Sequence, residues 1–146
     1  MFGNQGFGLN KTQLNYRWGL HFDLFSNSLI IVNHLGSNVV RYVFNDKNGW
    51  TLLCGSSNGI AGSTSTLLIG PTIAILDPMG NIYVADRNNQ RILFFSPDQF
   101  NSTTIVGGYG SKSDQLYWPT SVRLDNQLNL YVADTNNHRI QMFLRY

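Results

Sequence analysis

The residues able to hold a metal ion are few and scattered along the chain. Its 146 residues include three histidines, His21, His34 and His138, and a single cysteine, Cys54. A zinc site needs three or four ligands together with groups that orient them, and these residues show no spacing of that kind. We therefore predict no metal site and no cofactor. Cys54 has no partner for an intrachain disulfide and is expected to be a small buried apolar residue rather than a reactive thiol.

The carboxylates are all aspartates, since the chain contains no glutamate. Asp23, Asp77 and Asp125 recur at one position, before a turn, and Asp86 and Asp134 recur at another. Aspartates repeated at turns usually accept backbone N–H groups rather than act as acids or bases. No serine or cysteine has an identifiable histidine partner for nucleophilic catalysis. These observations predict no catalytic residues and a function that is not enzymatic.

An internal repeat explains why these aspartates recur. Residues Asn81–Phe95 and Asn129–Phe143 both contain Tyr-Val-Ala-Asp, followed in the same order by two asparagines, an arginine and an isoleucine. In each copy two short runs of apolar residues, many of them β-branched or aromatic, flank a polar corner of Asp and Asn. This pattern is typical of a β-hairpin, and a repeated unit has to be interpreted before single residues are.

The corner of each copy is closed by an aspartate and an arginine. These are Asp86 and Arg91 in the first of the two copies, and Asp134 and Arg139 in the second. We expect each aspartate to accept N–H groups of its own turn and to pair with its arginine. A residue needed once per repeat usually serves the fold of the repeat, so we assign these four residues a structural role.

The repeating unit is longer than the hairpin. Asp77 and Asp125 are separated by 48 positions, as are Asp86 and Asp134, and a looser third copy begins near Gln13. Each unit holds three strands, and a fourth is predicted at 49–55 and at 103–108. Four short strands in a period near fifty residues are typical of a propeller blade. The scarcity of strong helix formers agrees with an all-β chain.

These motifs resemble the NHL-repeat family, whose units form β-propellers, often of six blades. The resemblance is specific at Asn81–Phe95 and Leu130–Phe143 and loose in the first unit, where Asn33 takes the place of Asp86. It implies an all-β propeller segment of about three four-stranded blades, either partial or half of a six-bladed ring. The predicted boundaries are a lead-in over 1–12 and a repeat segment over 13–146, with units at about 13–54, 67–106 and 116–146.

The strands are expected to follow a count of four, four and three. The chain stops at Tyr146, before the third blade has its fourth strand. Three hypotheses follow: a fragment of a longer propeller, a homodimer in which two copies close a six-bladed ring around a two-fold axis, or an arc of blades that stands alone. The segments between blades, such as 55–66, are rich in Gly, Ser, Asn and Thr and are expected to be flexible crossings.

The corners and crossings are expected to emerge on one side of the propeller, which we call the loop face. Aromatic and basic residues on exposed loops suit protein partners, and they also suit single-stranded RNA. The alternative is that these are ordinary loops, with the aromatic residues packed under the next strand. The candidate binding residues of the loop face are Arg87, Tyr109, Lys112, Tyr117 and Trp118.

The formal net charge is +2, which is too small to indicate a nucleic-acid or membrane partner. The first twenty residues contain no apolar segment typical of a signal peptide, so an intracellular location is expected by default, or an extracellular one if the chain is a fragment. We predict a non-catalytic scaffold that binds protein through its loop face. The alternatives are single-stranded RNA binding by the same face and a metal-dependent propeller hydrolase or lyase.

Overall fold

The computed structural model describes Gly8 and residues 13–145. Its regular structure is antiparallel β-sheet apart from two single-turn 3-10 helices, at Arg87–Asn89 and Thr135–Asn137. The all-β class predicted from the repeat is therefore confirmed. The predicted lead-in over 1–12 lies outside the described residues except for Gly8. No helix in the described part of the chain has the length and apolar character needed to cross a membrane.

Eleven strands in the described residues form three separate sheets that follow one another along the chain. The first sheet has four strands, the second four and the third three, and we call them blades 1, 2 and 3. Within each blade, consecutive strands pair antiparallel, as predicted for a propeller segment. The strands are β1 Arg17–Asp23, β2 Ser28–Asn33, β3 Asn38–Val43, β4 Trp50–Gly55, β5 Ile73–Leu76, β6 Ile82–Asp86, β7 Arg91–Phe95, β8 Thr103–Gly107, β9 Pro119–Leu124, β10 Leu130–Asp134 and β11 Arg139–Phe143.

The second strand of each blade is the most apolar because it has neighbours on both faces and both edges. In β2 the consecutive residues Ile30, Ile31 and Val32 are all buried. β-Branched side chains suit this environment, since they pack well on a pleated surface. The hairpins that follow these strands each turn through one residue in the left-handed region: Ser37, Gln90 and His138, with φ of 47°, 55° and 54°.

The blades pack face to face through two continuous apolar clusters. One joins blade 1 to blade 2, and the other joins blade 2 to blade 3. A leucine from the crossing before each blade completes each cluster, Leu68 in the first and Leu116 in the second. The crossings are thus part of the core, which fixes the order of the blades and brings their corners to the same side.

Candidate interaction face

The corner of blade 2 is built around a buried ion pair. The Oδ2 atom of Asp86 lies 2.8 Å from Nε of Arg91, and the Asp86 side chain has no solvent exposure. The two guanidinium ends of Arg91 then donate to three backbone carbonyls of the preceding crossing. These bonds go to Ser63 at 2.8 Å, Thr64 at 3.0 Å and Leu67 at 3.0 Å. The crossing that was expected to be flexible is therefore held against the blade by Arg91.

Blade 3 repeats this arrangement 48 residues later. Nε of Arg139 lies 2.8 Å from Oδ2 of Asp134. Its guanidinium donates to the carbonyls of Ser111 at 2.8 Å, Lys112 at 2.7 Å and Gln115 at 2.9 Å. The recurrence of both the ion pair and the carbonyl bonds confirms the predicted pairing of each aspartate with its arginine.

The prediction that each aspartate accepts N–H groups of its own turn is wrong. Asp86 accepts the N–H of Ile69, at 2.8 Å, and Asp134 accepts that of Tyr117, at 2.6 Å, both from the crossing before the blade. The corner is a 3-10 turn that satisfies its own backbone, with the N–H of Gln90 bonded to the carbonyl of Arg87. The carboxylate is therefore free to bind the neighbouring segment.

Blade 1 has a neutral version of the same corner. Asn33 and Asn38 occupy the positions of Asp86 and Arg91, as the strand register shows. The amide of Asn33 donates to Oδ1 of Asn38 at 2.8 Å, and the amide of Asn38 donates to the carbonyl of Ser56 at 2.8 Å. An amide is too short to reach several carbonyls, so the first corner is held by fewer bonds.

The two buried aspartates differ in acidity although their geometry is alike. Burial raises the pKa of Asp86 in spite of its hydrogen bonds. Burial acts in the same direction on Asp134, but the hydrogen bonds to its carboxylate prevail and its pKa lies below the ordinary value. One of these bonds is extra: Gln141 donates to Asp134 at 3.1 Å, whereas blade 2 has the apolar Leu93 at that position.

Beside these corners, Arg87 lies between two tryptophans from different blades. Its Cζ atom is 3.9 Å from the ring centroid of Trp118 and 5.6 Å from that of Trp18. Trp18 stacks in turn on His34, with ring centroids 4.2 Å apart. We call Trp18, His34, Arg87 and Trp118 the arginine–tryptophan cluster. It joins blade 1, blade 2 and the start of blade 3 on one surface.

The cluster continues into the crossing before blade 3. The ring of Tyr117 is 6.0 Å from that of Trp118, and Tyr109 packs edge-on against Tyr117 at 4.9 Å. Trp18 is 52% exposed, Trp118 39% and Tyr109 68%. The aromatic side chains are therefore available to a ligand and are not packed beneath the following strand, as the alternative reading required.

Trp118 is held in an unfavourable backbone conformation. Its φ is 53°, in the left-handed region where blade 2 has Gly70, and a non-glycine residue there costs roughly 1–2 kcal/mol. Its N–H donates to Oε1 of Gln90 at 2.6 Å, and its ring stacks on Arg87. These two contacts fix the indole on the surface of the molecule.

Arg87 is a cation without an acidic partner among the described residues, where each of the ion pairs involves another arginine. Its Nε atom is buried and has no hydrogen bond. The nearest titratable group of the cluster, His34, donates or accepts at Nδ1 with the carbonyl of Pro71 at 3.1 Å. Burial, helped by the charge of Arg87, lowers the pKa of His34. The cluster therefore carries one uncompensated positive charge framed by aromatic rings.

The structure places the predicted loop-face residues unevenly. Arg87, Tyr109, Tyr117 and Trp118 form one continuous chain of contacts. Lys112 is bound through its backbone, which receives Arg139 and donates to Gln115.

Sequence reasoning missed two members of the cluster, Trp18 and His34. Trp18 takes the position of Thr72 and Thr120 in the other units, and His34 takes that of Arg87. A departure from the repeat at these positions was the signal that could have identified them.

The remaining reactive side chains have structural surroundings. Burial raises the pKa of the Cys54 thiol, which has no solvent exposure. Residues 55–59 read Gly-Ser-Ser-Asn-Gly, a pattern that sequence reasoning passed over, but Ser57 lies in an exposed turn and bonds Asn58. No group of three or more His, Cys, Asp or Glu residues in the described part of the chain is arranged to hold a metal ion.

Asp77 and Asp125 accept the turn N–H groups predicted for them. Oδ1 of Asp77 receives Met79 at 2.9 Å and Asn81 at 3.0 Å, and Oδ1 of Asp125 receives two N–H groups in the same way. The recurring tyrosine hydroxyl of the next strand also reaches each carboxylate, at 3.3 Å. These aspartates stabilise the turn between the first and second strands of their blades.

Several solved structures share this fold. The chain is similar to an auxiliary nutrient binding protein from Bacteroides thetaiotaomicron, with 20% identity and a TM-score of 0.67 over 83% of this chain and 35% of that one. It is also similar to the virginiamycin B lyase from Staphylococcus aureus, with 10% identity and a TM-score of 0.61 over 86% of this chain and 37% of that one. The chain thus spans about a third of the length of these proteins. At such identities the likeness concerns the fold alone.

A comparison with curated protein sequences finds no match. The profile of the NHL repeat matches residues 72–95 and 116–143. These ranges contain the corners of blades 2 and 3 with their aspartate–arginine pairs. The chain is therefore a member of the NHL-repeat family.

Proposed function

We propose that this chain is a non-catalytic interaction module that binds a protein partner through the loop face, with the arginine–tryptophan cluster at the centre of the contact. The observation that carries this proposal is the stacking of Arg87 between two exposed tryptophans from different blades. Tryptophan, tyrosine and arginine are the residues that dominate the binding energy of protein interfaces. Here all three types lie on one surface.

The charge of the cluster indicates the chemistry of the partner. Arg87 has no acidic neighbour among the described residues, so a carboxylate of the partner would provide the missing charge. A charge-assisted hydrogen bond of this kind is stronger than a neutral one. We therefore infer a partner segment that combines an acidic residue with an aromatic or aliphatic side chain, the latter packing on the exposed rings.

The similar structures give this proposal limited support. One of them is described as a binding protein and another as a lyase, so the fold is compatible with both kinds of function. The absence of catalysis is part of the proposal. It is tested by measuring the metal content of the purified chain and its thermal stability with and without a chelator, both of which should show no metal dependence.

The central test is selection of linear peptides from a random display library against the full chain. Enriched peptides should be acidic, and Arg87→Gln should weaken the best of them by at least about tenfold, as expected for a central interface arginine. Arg123→Gln is the matched control, since Arg123 is exposed on β9 and should leave affinity unchanged. Equal affinity of the Arg87→Gln and Arg123→Gln variants would contradict the proposal.

Trp118→Gly separates binding from folding. Glycine relieves the left-handed strain at this position, which offsets the loss of the cation–π contact, worth about 0.5–2 kcal/mol. The free energy of unfolding should therefore change by less than about 1 kcal/mol, while peptide affinity falls sharply. A large loss of stability with unchanged affinity would show that Trp118 serves the fold.

Single-stranded RNA is the second candidate, because bases stack on aromatic rings and on arginine in the same way. The protein partner is favoured, since the cluster offers one arginine where an RNA backbone is usually followed by several cations. Fifteen-nucleotide oligo(U) and oligo(A) probes test this alternative. Binding that falls steeply with salt and is lost in the Arg87→Gln variant would favour RNA.

A further inference from the structure

The third strands of the three blades differ in what covers their outer edge. In blade 1 that edge of β3 pairs with β4, and in blade 2 that of β7 pairs with β8. In blade 3 the outer edge of β11 has no partner strand among the described residues. An edge of this kind presents a row of backbone N–H and C=O groups to which another strand can bind.

The two complete blades show what occupies the equivalent edge. In both, the fourth strand pairs in the same register, with Asn38 opposite Gly55 and Arg91 opposite Gly107. In both, the register shifts after the second pair of residues, so the fourth strand bulges at the same place. Two independent copies thus define one geometry for the occupant.

The glycine at the end of the fourth strand is required by the close approach of the chains. A Cβ atom on Gly107 would lie 2.5 Å from Cβ and 2.8 Å from Cα of Arg91. On Gly55 it would lie 2.8 Å from Cα of Asn38. Because Arg139 occupies the same position in β11, a strand bound there needs a glycine opposite Arg139.

The residue before this glycine is apolar in both complete blades. Val106 lies opposite Ile92, and Cys54 lies opposite Val39, with each pair in one apolar cluster. The equivalent residue of β11 is Ile140, which is 69% exposed while Ile92 is fully buried. An apolar residue of the bound strand would pack beside Ile140.

A cleft lies where the bound strand would begin. It has a volume of about 610 Å³ and lies between β8 and the end of β11. Its apolar walls include Phe94, Ile105, Leu130 and Phe143, and Arg145 also lines it. The cleft offers space for side chains of an added segment next to the free edge.

We propose that β11 accepts an extended segment of a partner protein as a fourth, antiparallel strand. The segment carries glycine opposite Arg139 and a small or medium apolar residue opposite Ile140. Addition of a strand to an exposed edge is an established mode of peptide recognition, in which backbone bonds give affinity and alternate side chains give specificity. This surface is separate from the loop face and does not depend on the proposed function.

The chain contains its own probe for this proposal. A peptide of residues 101–107, Asn-Ser-Thr-Thr-Ile-Val-Gly, carries the β8 sequence and is added to the full chain at millimolar concentration. Hydrogen exchange of the backbone amides of residues 139–143 is followed by mass spectrometry. The peptide should slow exchange by at least about tenfold, and the peptide with Gly107→Val should not.

A tethered variant removes the concentration limit of a weak peptide. The sequence of residues 96–107 is appended after Phe143, reproducing the turn and fourth strand of blade 2, with the Gly107→Val version as its control. If neither the free nor the tethered glycine sequence slows exchange in β11 more than its control, the proposal is overturned. Protection of β11 in the chain alone, with a doubled mass by light scattering, would overturn it in favour of pairing between two copies.

Discussion

In blades 2 and 3, one buried aspartate joins three parts of the chain. Asp86 binds an arginine of the next strand, an asparagine of its own corner and a backbone N–H of the preceding crossing. The asparagine, Asn89, also reaches the carbonyl of Gly62 at 3.0 Å. A charge out of contact with water is costly unless it is paired and hydrogen-bonded. The corner meets this requirement, which explains why the same residue types recur in both repeats.

Replacing the ion pair of blade 2 by the neutral pair of blade 1 tests this account. Asp86→Asn alone should lower the free energy of unfolding by about 3 kcal/mol, because it leaves Arg91 buried without its counter-charge. The double variant Asp86→Asn with Arg91→Asn recreates the Asn33–Asn38 pair. We expect it to cost at least about 1 kcal/mol less than the sum of the two single substitutions.

Urea denaturation of the four proteins gives this coupling energy directly. Asp98→Asn is the matched control, since Asp98 is exposed in a turn with φ of 57°, where asparagine is equally at home, and should change stability by less than about 0.5 kcal/mol. Strictly additive losses in the double variant would show that the two residues do not act as a pair.

At the scale of the element, the blades differ in how closely their first strands approach. Gly19 of β1 lies against β5, and a Cβ atom there would be 2.3 Å from the carbonyl oxygen of Thr72 and 3.0 Å from Cα of Ile73. The equivalent residue of blade 3 is Ser121, which shares the strand register of Gly19 relative to the second strand. Glycine is thus needed where a further blade packs on this position at close range.

Gly19→Ala should therefore destabilise the fold, while a small side chain is tolerated in blade 3. Overpacking of a well-packed contact costs about 1–3 kcal/mol, and we expect a loss of that size for Gly19→Ala in thermal or urea denaturation. Ser121→Ala serves as the control and should stay within about 0.5 kcal/mol. Equal effects of the two substitutions would show that the approach of β1 to β5 does not limit packing.

At the scale of the whole molecule, blade 2 is packed on both faces, whereas blade 3 has a described neighbour on one face only. Ile92 and Ile140 are equivalent residues on the side toward the following blade. Ile92 is buried in the cluster that joins blades 2 and 3, while Ile140 is exposed. Repeated units obtain much of their stability from such contacts between neighbours. That a second copy covers this face stays a prediction.

The same substitution in the two blades should therefore have very different effects. Ile92→Ala should lower the free energy of unfolding by about 2–4 kcal/mol, because it leaves a cavity between two blades. Ile140→Ala should cost less than about 0.5 kcal/mol. Chemical denaturation at low protein concentration measures both. A large loss for Ile140→Ala, accompanied by a drop in molar mass on light scattering, would reveal a partner on that face.

Much of the fold could be predicted from the sequence because its signals are local. The hairpin of Asn81–Phe95 is encoded by apolar runs around a polar corner, and its copy 48 residues later identifies the unit as one of several blades. Pairs such as Asp86 with Arg91 lie five residues apart and directly opposite each other in the hairpin. Strand count, register and corner pairing therefore follow from contacts within a single unit.

The candidate sites depend on contacts between units, which only the tertiary structure decides. Trp18, Arg87 and Trp118 are separated by 69 and 31 positions, and they meet because apolar faces between the blades set the spacing of the corners. The carbonyls bound by Arg91 and the glycine that passes it at close range belong to segments without a repeat signature strong enough to announce them. Hydrophobic burial aligns these segments without regard to distance along the chain, so the chemistry of each surface emerges only when the blades are packed.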